Sequence, residues 1–117
     1  MSNEIVIGII GSSIQYSLSP TIHEYWMNEN KIKGKYKIYD LKEEELKNFI
    51  KNIHNKNIKG LNVTIPYKKK IIDFIDEISL EAKIIGAVNT LIIKKNGKIY
   101  GDNTDAKGFI NNLESIR

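Results

Sequence analysis

The 117-residue chain, 41% hydrophobic and 27% charged, suits one compact domain with a modest core. It has no cysteine, which excludes disulfides and thiolate metal sites, and its formal charge of +4 comes from lysines dispersed among carboxylates, with Arg117 the only arginine, a pattern that argues against a nucleic-acid reader. No apolar stretch approaches the ~20 residues of a membrane span, and Met1-Ser2-Asn3-Glu4 lacks the basic start of a signal peptide, so a cytoplasmic location is the expectation.

Ile5 to Ile10 is a continuous apolar run rich in β-branched residues and bounded by Gly11, the pattern of a strand buried on both faces. After the Gly11-Ser12-Ser13 turn, Ser19-Pro20 reads as an N-cap followed by proline at the first helical position, with Ile22, Tyr25 and Trp26 on one face and expected in the core. A short strand covers 36–39. Asp40 and Glu43 are spaced as a capping box, and Leu46, Phe49, Ile50 and Ile53 recur at helical spacing behind them. Further along come a strand over 58–63, a short helix over 66–75 and another over 80–85. Strands over 87–95 and 98–101 flank Asn96-Gly97, a strong hairpin signal that makes them antiparallel, and a last helix starts near Asp105.

This order predicts a three-layer α/β domain: a mostly parallel twisted sheet, one antiparallel hairpin element, and helices on both faces. Ligands of such sheets sit beyond the carboxyl ends of the strands. Polar residues gather at just those places: Ser17 and Ser19, then Asn62, Thr64 and Lys68, then Asn89, then Asn103 and Asp105. Hydroxyls, amides, one ammonium and one carboxylate suit a small polyhydroxylated acid, whose hydroxyls both donate and accept. A lysine beside an aspartate can also move a proton at a carbonyl or alcohol, the ammonium stabilising the developing alkoxide while the carboxylate orients it.

Each residue also has a plainer reading. Ser19 caps a helix whatever the function, and Asp105 can do the same. Lys68 opens a Lys-Lys-Lys run of the kind that usually faces solvent, Asn62 and Asn89 can satisfy loop backbone, and His23 and His54 have no partner at metal-ligand spacing. It is the joint, ordered occurrence of the strings that favours function.

Those strings are Ser17-Leu18-Ser19-Pro20, Asn62-Val63-Thr64-Ile65-Pro66-Tyr67-Lys68, Gly86-Ala87-Val88-Asn89-Thr90 and Gly101-Asp102-Asn103-Thr104-Asp105. In that order they resemble the N-terminal substrate-binding domain of the shikimate dehydrogenase family, over nearly the whole chain. The resemblance implies an NADPH-dependent, reversible reduction of 3-dehydroshikimate to shikimate, a step of aromatic amino acid biosynthesis. It implies that Ser17 and Ser19 hold the substrate carboxylate, that Asn62, Thr64, Asn89 and Asp105 hold ring hydroxyls, and that Lys68 and Asp105 are the catalytic pair. Asp102 does not match that role.

Departures from the family pattern are Ser13-Ile14-Gln15-Tyr16 where Pro-Ile-x-His is familiar, and Glu24 after His23 where asparagine is usual. They flank the pocket and bear on substrate preference, keeping a quinate/shikimate dehydrogenase as an alternative. Residues 1–117 are expected to form the substrate-binding domain, with an NADP-binding Rossmann domain supplied beyond Arg117 in cis or in trans, since no G-x-G-x-x-G occurs here. Alone, the chain is expected to bind substrate weakly and turn nothing over, with a homodimer open as an assembly state. The alternative from another class is a noncatalytic shikimate-binding sensor.

Overall fold

The computed structural model describes residues 5–13, 19–31 and 33–105. Its strands are β1 (Ile5–Gly11), β2 (Gly34–Asp40), β3 (Ile58–Val63), β4 (Glu77–Ile78), β5 (Thr90–Ile93) and β6 (Ile99–Asp102). They form one sheet in the order β2-β1-β3-β5-β6-β4. The apolar run of β1 is central, parallel to both β2 and β3, while β5 runs antiparallel to β3 and to β6, and β4 lies parallel to β6. The α/β expectation of a largely parallel sheet with one hairpin is met. The edge strand β4, only two residues long, has no periodicity by which a sequence could announce it.

The helices are α1 (Ser19–Glu29), α2 (Glu43–Lys51) and α3 (Leu80–Ile85). Leu46, Phe49 and Ile50 of α2 meet Ile10, Ile58, Leu61, Leu91 and Ile99 in the main core. Because side chains alternate along β1, Ile5 points away from Val6, which packs on that core. On Ile5's side lies α1: buried Met27 sits over Gly34, where an added Cβ would fall 2.5 Å from its Sδ. A helix thus lies on each face, with α1 packed against β2. Tyr25 is 67% exposed, which corrects its expected core position. One apolar stripe on a short helix is too narrow to hold it, and Met27 takes the contact. The side chains of Ile22, His23 and Trp26 lie outside the described residues.

Local expectations needed three further corrections. The start of α2 is set two residues later than Asp40: Leu41 N–H donates to the Gly11 carbonyl at 2.9 Å, extending the strand pairing, and Glu45 Oε1 accepts the Lys42 N–H at 2.8 Å. Asp40 instead accepts the Ser13 N–H at 2.8 Å. The helix expected over 66–75 contracts to a 3-10 turn, Lys70–Phe74, because the Lys68 carbonyl is taken by the Val88 N–H at 2.7 Å and cannot continue a helix. The hairpin closes through Lys94 and Lys98 around a three-residue loop in which Gly97 alone takes positive φ, 89°, so the glycine of Asn96-Gly97 serves a bulge, not a two-residue turn.

Neighbouring residues of β5 separate the two faces energetically. Leu91 is fully buried and Ile92 is 46% exposed. Leu91→Ala is expected to cost about 2–5 kcal/mol, and Ile92→Ala under about 1 kcal/mol. Denaturant midpoints at unchanged m-value measure both, and equal costs would contradict the assigned register.

Candidate functional site

Parallel pairing carries the carboxyl ends of β1, β2 and β3 to one edge of the sheet, where the antiparallel β5 begins and β6, antiparallel to β5, ends. Backbone bonds stitch this edge together. Thr64 N–H donates to the Ile10 carbonyl at 2.9 Å, Val63 N–H to the Asn89 carbonyl at 2.8 Å, and Asn89 N–H to the Asp102 carbonyl at 3.0 Å. Segments far apart in the chain are therefore held side by side.

The Asn89 side chain is heavily bonded at this edge. Its Oδ1 accepts from the Thr90 hydroxyl at 2.9 Å, the Thr104 N–H at 3.1 Å and the Thr104 hydroxyl at 3.3 Å, and its Nδ2 donates to Asp105 Oδ2 at 3.2 Å. A helical turn starts at Thr104, so Asn89 satisfies one of the amide donors that a helix start leaves open. The same amide orients the Asp105 carboxylate, which is exposed to solvent. Asn103 is a brace: it is buried, and its Nδ2 donates to the Ala87 carbonyl at 3.1 Å.

Asn62, half-buried at the end of β3, donates from Nδ2 to the Tyr36 hydroxyl at 2.8 Å, across the intervening β1. The Thr64 carbonyl accepts the Tyr67 N–H at 3.0 Å, and the Tyr67 hydroxyl donates to the Leu41 carbonyl at 2.5 Å, fixing the loop that carries Lys68. The three lysines then separate. Lys70 pairs with Glu43 and Lys69 is exposed, while Lys68 is half-buried, anchored by its carbonyl to Val88, with an ammonium that has no ion-pair partner among the described residues. An uncommitted ammonium and an oriented carboxylate on adjoining loops can exchange a proton with a bound carbonyl or alcohol.

Of the residues expected from sequence, Asn62, Thr64, Lys68, Asn89 and Asp105 come to this edge. Ser17 lies outside the described residues, as does the side chain of Ser19, whose backbone begins α1. Sequence reasoning missed Tyr36 and Thr104. Tyr36 gave no signal because its contact depends on strand order, whereas Thr104 sits inside a quoted string and was legible as a helix-start residue. Among the described residues, no group of three His, Asp or Glu side chains could hold a metal ion, and no helix is long and apolar enough to cross a membrane.

A profile described as the shikimate dehydrogenase substrate binding domain matches residues 9–91. The chain is 48% identical over 107 residues to shikimate dehydrogenase (NADP(+)) of Clostridium botulinum, covering 92% of this chain and 41% of that protein. Among solved structures it resembles shikimate dehydrogenase 1 from Peptoclostridium difficile, with 37% identity and a TM-score of 0.83 over 92% of this chain and 39% of that one. It also resembles shikimate 5-dehydrogenase from Thermus thermophilus in complex with NADP(H) and shikimate, with 32% identity and a TM-score of 0.82, over 95% of this chain and 42% of that one. The chain thus spans about 41% of the curated relative it matches. With most of its length inside the family profile and its sheet superposing on solved members, the chain belongs to the shikimate dehydrogenase substrate-binding domain family.

Proposed function

We propose that this chain is the substrate-binding and proton-transferring part of an NADP-dependent shikimate dehydrogenase, acting in the reversible reduction of 3-dehydroshikimate to shikimate. The observation that carries this reading is the convergence of Asn62, Thr64, Lys68, Asn89 and Asp105 on one sheet edge, with Asn89 bonded to Asp105 at 3.2 Å. Membership of the family and the shikimate and NADP(H) named for the Thermus relative support the choice of substrate and cofactor. The chain contains no G-x-G-x-x-G turn, so its residues do not fit a dinucleotide site, and NADP belongs to a further domain, in cis or in trans. Bound there, the cofactor supplies the hydride.

The residues of this chain take the rest of the reaction. Asn62, Thr64 and Asn89 hold ring hydroxyls, and Ser17 and Ser19 hold the carboxylate near the start of α1, where a helix N-terminus favours an anion. As the substrate carbonyl is reduced, the Lys68 ammonium stabilises the growing negative charge on oxygen and donates its proton to it. In the reverse direction neutral Lys68 takes that proton back. Asp105, held by Asn89, keeps the ammonium oriented and its charge balanced.

Titration of the labelled chain with shikimate is expected to give saturable amide shifts around Thr64, Asn89 and Asp105, with weaker binding of quinate. No saturation at millimolar shikimate would count against the reading, and equal quinate affinity would favour a quinate/shikimate dehydrogenase. In the protein completed by its nucleotide-binding domain, Lys68→Ala is expected to lower kcat by about 10²–10⁴-fold with little change in substrate affinity, and unchanged kcat would remove Lys68 from the mechanism. Asn89→Ala should strip the Thr104 amide of its acceptor, costing about 1–2 kcal/mol and speeding its hydrogen exchange. Full protection of that amide in the variant would show that Asn89 is not the hub.

A further inference from the structure

A second concave site lies at the other end of β6. Ile99 opens this strand and Asp102 closes it at the candidate site, so the two places are roughly 10 Å apart along the strand. Here a cleft of about 370 Å³ opens between α2 with the 3-10 turn that follows it and the segment 73–76. That volume is within the range of small-molecule sites.

The lining is sorted by charge. One segment contributes Lys47 and Lys51, one helical turn apart on the same face of α2, together with His54. The other contributes Asp73 and Asp76. Between them the floor is apolar: Ile50 and Ile99 are buried, at 3% and 4% exposure, and Phe74 and Ile75 are partly buried beside them. The two segments are tied by an ion pair between Lys70 and Glu43, and Asp76 is fixed because its Oδ2 accepts the Ile99 N–H at 2.8 Å. The hairpin loop closes on His54, where a Cβ at Gly97 would lie 3.1 Å from its Cε1. Neither Lys47 nor Lys51 forms an ion pair with Asp73 or any other acid among the described residues.

A rim cationic on one side and anionic on the other, with an apolar floor, matches a small molecule bearing both charges near one end and a hydrocarbon group at the other. We propose that this cleft binds a free α-amino acid with an apolar side chain. Its carboxylate meets Lys47 and Lys51, its ammonium meets Asp73, and its side chain covers Ile50, Phe74 and Ile99. A simple carboxylate or a simple amine satisfies one segment and leaves the other unmatched. The site stands apart from the edge that carries Lys68 and Asp105 and does not depend on the function assigned to that edge.

The test is an amide-shift titration of the chain with L-leucine, compared with 4-methylvalerate, which lacks its ammonium, and isoamylamine, which lacks its carboxylate. Saturable shifts at Ile50, His54, Phe74 and Ile99 are expected with leucine, with Thr64 and Asn89 unmoved, and each truncated analogue should bind about tenfold more weakly or worse. Lys47→Gln with Lys51→Gln, and separately Asp73→Asn, should each weaken leucine by about tenfold; these side chains are exposed, so the fold is kept. Three outcomes would overturn the proposal: no saturation with millimolar leucine, equal binding of all three compounds, or unaltered leucine binding by the variants. Shikimate titration reads a different set of amides, so either assignment can fail while the other stands.

Discussion

The reversal of β5 is the constraint on which the candidate site depends. β5 runs antiparallel between β3 and β6, so the residue just before it, Asn89, arrives at the edge where those two strands end. Its backbone carbonyl takes the Val63 N–H and its backbone N–H reaches the Asp102 carbonyl, closing both neighbours. With its backbone fixed on two sides, the side-chain amide has little freedom left and is committed to Thr104 and Asp105. A carboxylate aimed in this way keeps little conformational freedom to lose on meeting a ligand, which is the physical content of preorganisation.

A comparable economy governs the loop from Thr64 to Lys70. A lysine run on a regular helix would fan its side chains around the axis. Here the Lys68 carbonyl is diverted to Val88, so a regular helix is not built, the Tyr67 hydroxyl ties the loop to Leu41, and each lysine takes a separate environment. Lys70 joins the segment to α2 through Glu43, and Lys68 is left half-buried without a counter-ion among the described residues. The bond that denies this segment its helix, from the Val88 N–H to the Lys68 carbonyl, also holds it against the string from Gly86 to Thr90. Gly86, at φ 76°, ends α3 in the left-handed region that glycine adopts without strain, and Val88 directly behind it is fully buried in the core.

Much of the fold was legible. The β-branched run of β1, the strand over 58–63, the apolar spacing of Leu46, Phe49 and Ile50 and the short helix over 80–85 all stand in the structure, because each carries its own period or its own caps. What failed was local chemistry overruled by distant partners. Asp40 and Glu43 are spaced as a capping box, yet strand pairing through Leu41 moved the helix start to Lys42. Residues 66–75 carry apolar spacing that would suit a helix, yet the Val88 N–H claims the Lys68 carbonyl that a helix would use. Tyr25 follows a helical stripe and is nonetheless exposed.

The candidate site divides along the same line. Residue types and their order are properties of the chain: two amides, a threonine, a lysine and an aspartate stand at the ends of elements that the sequence itself delimits, and their strings carry the family resemblance. That inventory is independent of the fold, since hydrogen-bonding capacity and charge belong to side chains wherever they sit. Tertiary structure alone decided which of these groups meet. Asn89 and Asp105 are 16 positions apart and Tyr36 and Asn62 are 26 apart, and neither contact follows from any local period. They exist because strand order and the direction of β5 bring those positions together, and strand order is chosen by burial of the whole sheet, a free energy summed over residues that no single motif contains.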